Sequence, residues 1–174
     1  MATATDMKTG KRDGILVAPL RFKGQRFTRA DLVFTGVDHS RGSYEVLVFL
    51  NNPRATDKTA HDVEHGYGGR FVIFGHGGCY GDEGHCDVPT EPAFGDLRPP
   101  HHLTPATKIV TITAALQHVM ATDRDGLKTV TLVPVAMPPR RKDRAVTAEL
   151  FRFDEMSLRT YLAGTESDLP AATG

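Results

Sequence analysis

Short runs of β-branched and aromatic residues, separated by turn signals, recur along most of this sequence. Runs of this kind, bounded by Gly, Pro, Asn or Asp, are typical of strands in antiparallel all-β domains. The candidate strands are Ile15–Leu20, Ala30–Val37, Ser43–Leu50, Tyr67–Phe74, Thr107–Thr113, Lys128–Val135 and Ala145–Phe153. We therefore predict a mainly β fold, an antiparallel β-sandwich or barrel of six to seven strands.

Two of these runs carry more specific information. In Ser43–Leu50 the residues Tyr44, Val46, Val48 and Leu50 would share one face, while Leu47 and Phe49 would lie on the other. Apolar residues on both faces are typical of a central strand that is covered on two sides. In Ile15–Leu20, Pro19 lacks an N–H donor, which favours an edge strand.

One segment, from Ala114 to about Thr122, has the spacing of a short helix rather than of a strand. Thr113 is the expected N-cap, because its hydroxyl can accept a hydrogen bond from the first turn. The buried stripe of this helix is predicted to consist of Ile112, Leu116, Val119 and Met120.

The chain has 174 residues, which is the size of one domain. We predict a single β-sandwich domain over residues 15–163, because no repeat or linker divides it. Residues 1–14 and 164–174 are small and polar, and we expect them to be disordered tails.

Charge and hydropathy exclude several classes of partner. The 21 Lys and Arg residues balance the 21 Asp and Glu residues, which argues against nucleic acid or an anionic membrane. The basic run Pro138–Arg144 is expected to be a solvated hairpin tip. No apolar run approaches the length of a membrane span, and the N-terminus lacks the pattern of a signal peptide. We therefore expect a cytoplasmic protein with reduced thiols.

The glycine-rich stretch Phe74–Cys86 holds both cysteines of the chain, Cys79 and Cys86. His76 and His85 lie close to them in sequence. Two thiolates and two imidazoles are a sufficient ligand set for tetrahedral Zn²⁺, and sulfur ligands equally suit Cu(I). The sequence thus indicates a metal site in this loop, although its spacing is not that of a zinc finger.

The loop is long, and extends from Gly75 to about Pro105. It also contains His101 and His102, either of which would supply a further ligand if the loop folds back. Loops of this length are usually functional or disordered. Two alternatives remain open on residue types alone: a local disulfide between Cys79 and Cys86, or two unreactive thiols with histidines that cap turns.

Other catalytic signatures are missing from the sequence. It has no Gly-x-Ser-x-Gly elbow, no phosphate-binding Walker loop and no dinucleotide fingerprint. The chemistry that the sequence indicates is therefore confined to the long loop.

Several segments together carry a family resemblance that covers roughly residues 27–155. They are Tyr44–Pro53, Tyr67–His76, the cysteine loop, Leu97–His101, Leu103–Pro105 and Thr129–Pro134. In these segments the chain resembles the C-terminal domain of bacterial tyrosinase-like and polyphenol-oxidase-like copper proteins. More distantly, the order of elements is similar to that of the C-terminal domain of plant polyphenol oxidases.

The resemblance implies a β-sandwich that packs over the dinuclear copper site of an oxidase and keeps that enzyme latent. The oxidase itself uses six histidines on a four-helix bundle, which this sequence lacks. The resemblance therefore implies a non-catalytic accessory domain that shields the copper site of a tyrosinase-type partner, delivers copper to it, or does both. It further implies that one side chain is inserted into the partner's substrate pocket, with Tyr80 as the candidate and Phe94 as the alternative. Cysteine-containing segments of some fungal C-terminal domains are associated with copper loading. The resemblance therefore also implies that Cys79 and Cys86 are Cu(I) ligands.

Two other functions are compatible with the same residues. One is a stand-alone mononuclear copper or zinc protein, acting as a redox enzyme or electron carrier, with His101 or His102 as an added ligand. The other is a metal-free interaction module whose loop is closed by a disulfide.

Overall fold

A computed structural model of the protein describes residues 2–4, 10–12, 14–39, 42–75, 94, 105–137 and 151–162. Its strands are β1 (Ala2–Ala4), β2 (Gly10–Arg12), β3 (Ile15–Phe22), β4 (Arg29–Val37), β5 (Tyr44–Leu50), β6 (Tyr67–Ile73), β7 (Ala106–Thr111), β8 (Leu127–Ala136) and β9 (Glu155–Tyr161). The helix α1 (Thr113–Thr122) lies between β7 and β8.

The strands form two antiparallel sheets. Sheet A has four strands in the order β1-β9-β4-β7, and sheet B has five in the order β2-β3-β8-β5-β6. All strand pairs in both sheets are antiparallel. The predicted mainly β fold, with antiparallel sheets and one short helix, is confirmed, and the described strands do not close into a barrel.

The main core draws its side chains from both sheets and from the helix. Its largest fully buried members are Phe34 and Leu32 of sheet A and Tyr44 and Leu132 of sheet B. Along β4 they alternate with Asp31 and Val33, which lie on the opposite face of the strand and are buried as well. Leu116 of α1 belongs to the same cluster, so the helix packs against the core.

The prediction that Ser43–Leu50 forms a central strand is confirmed. β5 lies between β8 and β6, and all but one of its residues are buried. Leu47 and Phe49 form a second apolar cluster on the outer face of sheet B. The segment 51–66 covers part of this face, because Ala55 belongs to the cluster and the His61 ring stacks on Tyr67 at 4.5 Å between centroids.

β3 lies at the edge of sheet B over only part of its length. β2 pairs with Ile15–Val17 only, whereas β8 pairs with β3 from Leu16 to Phe22. At Pro19 the strand therefore has no described neighbour on the β2 side, which is the position where a residue without an N–H donor is tolerated. β1 and β2 lie within residues 1–14, where the sequence predicts a tail. Residues 164–174 lie outside the described part.

Two sequence-based boundaries are corrected. Thr113 does not cap α1: the N-cap is Ile112 without a side-chain hydrogen bond, and Thr113 Oγ1 instead accepts a hydrogen bond from the Ala30 N–H at 3.0 Å. Phe151 and Phe153 were expected in a strand, yet the last strand begins at Glu155. Residues 145–150 of that predicted strand lie outside the described part.

Aromatic packing explains why Phe151 and Phe153 lie outside a strand. Phe151 and Phe153 stack on each other at 5.0 Å between ring centroids, and the Phe153 ring packs edge-on against Phe34 at 5.6 Å. Both rings are half-buried and pack against the core from irregular backbone, whereas β9 buries Met156 and Leu158. No helix of the described part is long and apolar enough to cross a membrane.

Candidate functional site

The long loop begins and ends at one end of the sandwich. The strand before the loop, β6, ends at Ile73, which pairs with Tyr44. The strand after the loop, β7, begins at Ala106, which pairs with Val37. Since residues 38–43 connect Val37 to Tyr44, both ends of the loop lie beside the two ends of this short connection. We call this the loop end of the sandwich.

Two glycines allow the strands at either end of the loop to approach each other. A Cβ on Gly69 would lie 2.9 Å from Val110 Cγ1, and a Cβ on Gly68 would lie 3.1 Å from Ile112 Cγ2. These glycines therefore bring β6 of sheet B against the segment that contains β7 of sheet A. This contact lies at the start of β6 and the end of β7, away from the ends that carry the loop.

Ser43 fixes the start of two connections at the loop end. The Gly75 N–H donates to Ser43 Oγ at 3.1 Å, and the Met137 N–H donates to the Ser43 carbonyl oxygen at 3.0 Å. The first bond lies at the start of the long loop, and the second lies at the end of β8. The segment that contains the basic run Pro138–Arg144 therefore starts from the same end; the run itself lies outside the described part.

The core below the loop end is filled by aromatic side chains. Tyr44 is fully buried, and its hydroxyl donates to the Asp38 carbonyl oxygen at 2.9 Å. Burial raises the pKa of Tyr44 to about 12, and the nearby Asp38 carboxylate adds to the increase. The phenol is thus neutral at physiological pH and serves to fix the β4–β5 connection.

Only one of the predicted site residues is described. Phe94 lies in a turn and is fully exposed. The others lie outside the described residues: His76, Cys79, Tyr80, His85, Cys86, His101 and His102. The structure therefore defines where their loop is attached, and their roles remain predictions.

The opposite end of the sandwich has a cleft with a volume of about 460 Å³. The end of β5, the segment 63–66 and the C-terminal half of α1 line it. Its titratable and charged residues are Glu64, His65, His118, Asp123 and Arg124. No group of three His, Cys, Asp or Glu side chains in the described part, including this cleft, is arranged to hold a metal ion.

One imidazole at the cleft is oriented by a carboxylate. His65 Nδ1 lies 2.5 Å from Asp62 Oδ1, and the His65 backbone N–H donates to the same oxygen at 2.9 Å. The side-chain bond, followed by the backbone bond, lowers the pKa of Asp62 below its ordinary value. When Nδ1 carries the proton, Nε2 of the neutral ring is left as an acceptor. This pair was not predicted from the sequence, although its Asp-x-x-His spacing is visible there.

We expect the pKa of the Asp62 carboxyl to lie below its ordinary value in the folded protein and to be closer to that ordinary value in the variant His65→Asn. Because the folded pKa is lowered, the contact stabilises the fold above the unfolded pKa and is lost as the pH falls through the folded pKa. Side-chain carboxyl chemical shifts followed by NMR against pH would measure this. The control variant His118→Asn should leave the Asp62 titration unchanged, and identical curves for the wild type and His65→Asn would contradict the assignment.

A buried carboxylate elsewhere has a structural role. Asp31 is only 2% exposed on the outer face of β4. Its oxygens accept hydrogen bonds from Arg29 Nε at 2.9 and 3.1 Å and from Thr111 Oγ1 at 2.8 Å. Removing the partners of a buried charge costs stability, so these hydrogen bonds hold the carboxylate in place. Asp31 therefore links β4 to β7 and has a structural role.

Comparison of the sequence with models of protein families and with curated proteins found no match. The functional assignment therefore depends on the residues of the chain and on the arrangement of its loop.

Proposed function

We propose that this chain is a non-catalytic accessory domain for a tyrosinase-type copper oxidase. In this proposal the long loop faces the oxidase, shields its dinuclear copper site, and binds and delivers copper through His76, Cys79, His85 and Cys86. His101 and His102 are further candidate ligands, and Tyr80, with Phe94 as the alternative, is the candidate for insertion into the substrate pocket. The reduced thiols that this requires favour the cytoplasm.

The observation that supports this proposal is the attachment of the loop. Both of its ends lie at one end of a sandwich, one on sheet B at Ile73 and the other on sheet A at Ala106. Between the sheets the space is occupied by apolar side chains. A rigid scaffold that carries a long loop at one end is the usual arrangement for presenting functional residues to another molecule.

The donor set of the loop fits copper as a cargo. Thiolates hold Cu(I) well, and imidazoles bind both copper oxidation states. In the proposed transfer, Cys79 and Cys86 hold the ion in the reduced form. His76 and His85 then provide ligands of the same type as the histidines of the receiving site, so the ion can move by exchange of one ligand at a time.

Copper binding by the cysteines is the first test. We expect the reduced wild-type protein to bind about one Cu(I) per chain under anaerobic conditions, and Cys79→Ser/Cys86→Ser to lose this binding, because the thiolates are the ligands of choice for Cu(I). Competition with a chromophoric Cu(I) chelator would measure both. The matched control is His118→Asn, which removes an imidazole at the opposite end and should bind as the wild type does. Equal binding by the double serine variant would contradict copper handling by the loop.

The same titration separates the alternatives. An intense thiolate-to-Cu(II) charge-transfer band after oxidation would instead support a mononuclear redox protein. A Cys79–Cys86 disulfide that forms in the isolated protein and prevents copper binding would support the metal-free module. Slower phenol oxidation by a purified tyrosinase catalytic chain, on addition of this protein, tests the shielding role separately.

A further inference from the structure

Three alternate residues at the end of β6 face away from the core. Phe71 and Ile73 are buried in the core cluster, whereas Arg70 is exposed and Val72 is half-buried between them. Phe74 follows Ile73 and continues this alternation, with 80% of its surface exposed. We call Arg70, Val72 and Phe74 the β6 stripe.

The exposed ring of Phe74 is attached to backbone that is held on both sides. Ile73, which precedes it, pairs with Tyr44 in the sheet. Gly75, which follows it, donates its N–H to Ser43 Oγ at 3.1 Å. A large apolar side chain on fixed backbone loses little conformational entropy when it is buried by a partner. Such residues are typical anchors of protein–protein interfaces.

The residues beside the β6 stripe combine a polar pair with an apolar side chain, as at the rim of a protein–protein interface. Glu45 lies opposite Val72 on β5, and its Oε2 accepts a hydrogen bond from Arg70 Nη1 at 2.9 Å. Half-buried Val135 lies opposite Glu45 on β8. The result is an apolar surface next to a neutral, hydrogen-bonded ion pair, with no excess of either charge.

The length of the chain restricts what can approach this surface. Cys79 follows Phe74 by five residues in the sequence. A segment of this length spans at most about 17 Å when fully extended. A protein that receives copper from Cys79 must therefore bring its own surface within that distance of Phe74.

We propose that the β6 stripe is the docking surface for the catalytic chain of the oxidase. This rests on the proposed function, because it takes the recipient of the loop as the occupant of the stripe. Phe74 is the anchor of this interface, Val72 extends its apolar area, and the Arg70–Glu45 pair forms its polar margin.

The test compares two exposed apolar residues on different sheets. The probe is a purified bacterial tyrosinase catalytic chain in its copper-free form, and its affinity is measured by biolayer interferometry. We expect Phe74→Ser to weaken binding by about tenfold or more, because truncating an interface anchor has effects of this size. The matched control is Ile109→Ser on β7 of sheet A, where Ile109 is 57% exposed; it should bind within about twofold of the wild type. Both variants should retain the Cu(I) binding of the wild type.

Equal affinities of the two variants would overturn the docking surface while leaving the proposed function intact. A clear fall in Tm for Phe74→Ser would overturn it as well, because the ring would then be covered by this chain itself. So would dissociation of a wild-type dimer in that variant, since a second copy would be the occupant. Wild-type protein that binds neither Cu(I) nor the tyrosinase chain would instead reject the proposed function.

Discussion

Replacement of Gly66 by alanine should lower the free energy of unfolding by about 3 kcal/mol or more. Gly66 has a φ of +81°, a backbone conformation that residues other than glycine rarely adopt. A Cβ there would lie 2.2 Å from the Leu50 carbonyl oxygen. Since this oxygen belongs to the backbone at the end of β5, it cannot move without disturbing the strand. The Leu50 N–H also donates to the Gly66 carbonyl oxygen at 2.7 Å. A shift of the backbone away from the added Cβ would therefore strain this hydrogen bond as well.

Denaturant unfolding followed by circular dichroism would measure the loss. Gly24→Ala is the matched control, because Gly24 has a similar φ of +78° but no atom within 4 Å of its added Cβ. We expect this control to cost about 1 kcal/mol, which is the conformational penalty alone. Similar losses for both variants would show that the close approach of Gly66 to Leu50 contributes nothing.

The second large effect is expected for Asn51→Ala, which should cost about 3 kcal/mol. Asn51 Nδ2 donates to the Gly126 carbonyl oxygen at 2.8 Å, and Asn51 Oδ1 accepts from the backbone N–H groups of Lys128 and Thr129 at 2.7 and 3.2 Å. One side chain thus joins the end of β5 to the turn before β8. Asn51 is also the only described residue other than glycine with a positive φ, at 51°. Asparagine tolerates this conformation better than alanine does.

Two further variants separate these contributions in the same unfolding experiment. Asn51→Gly keeps the backbone conformation and loses the hydrogen bonds, so its stability should lie between those of the wild type and Asn51→Ala. Asn52→Ala is the neighbouring control: Asn52 Nδ2 makes one exposed hydrogen bond, to the His65 carbonyl oxygen at 2.8 Å, and its loss should cost about 1 kcal/mol or less. A cost for Asn52→Ala equal to that for Asn51→Ala would contradict the role assigned to Asn51.

Local patterns were sufficient to predict the fold class. The apolar residues on both faces of β5 indicated a strand covered on two sides, and the structure has Val46 and Phe49 buried in different clusters. Where local pattern and packing conflict, the prediction was wrong. Phe151 and Phe153 have the composition of a strand, but they pack half-buried against the core from irregular backbone, and β9 lies after them.

The contacts that organise the two ends of the sandwich were less accessible to sequence reasoning. Asn51 and Gly126 meet although 75 residues separate them, and Ser43 bonds to Gly75 across 32 residues. Neither pair has a periodic signal, because each depends on which strands become neighbours in the sheets. The glycine-rich character of the loop was visible in the sequence, whereas its attachment to opposite sheets required the strand order.

The attachment of the loop also determines how freely its length can change. Its ends are held by pairing at Ile73 and Ala106, and neither pair depends on the residues in between. For a flexible loop, doubling the number of residues costs only about 0.6 kcal/mol of closure entropy. The same pair of sheets can therefore carry shorter, longer or entirely different loops at this position without a change of strand register. This makes the sandwich a scaffold on which new recognition sequences can be grafted or selected.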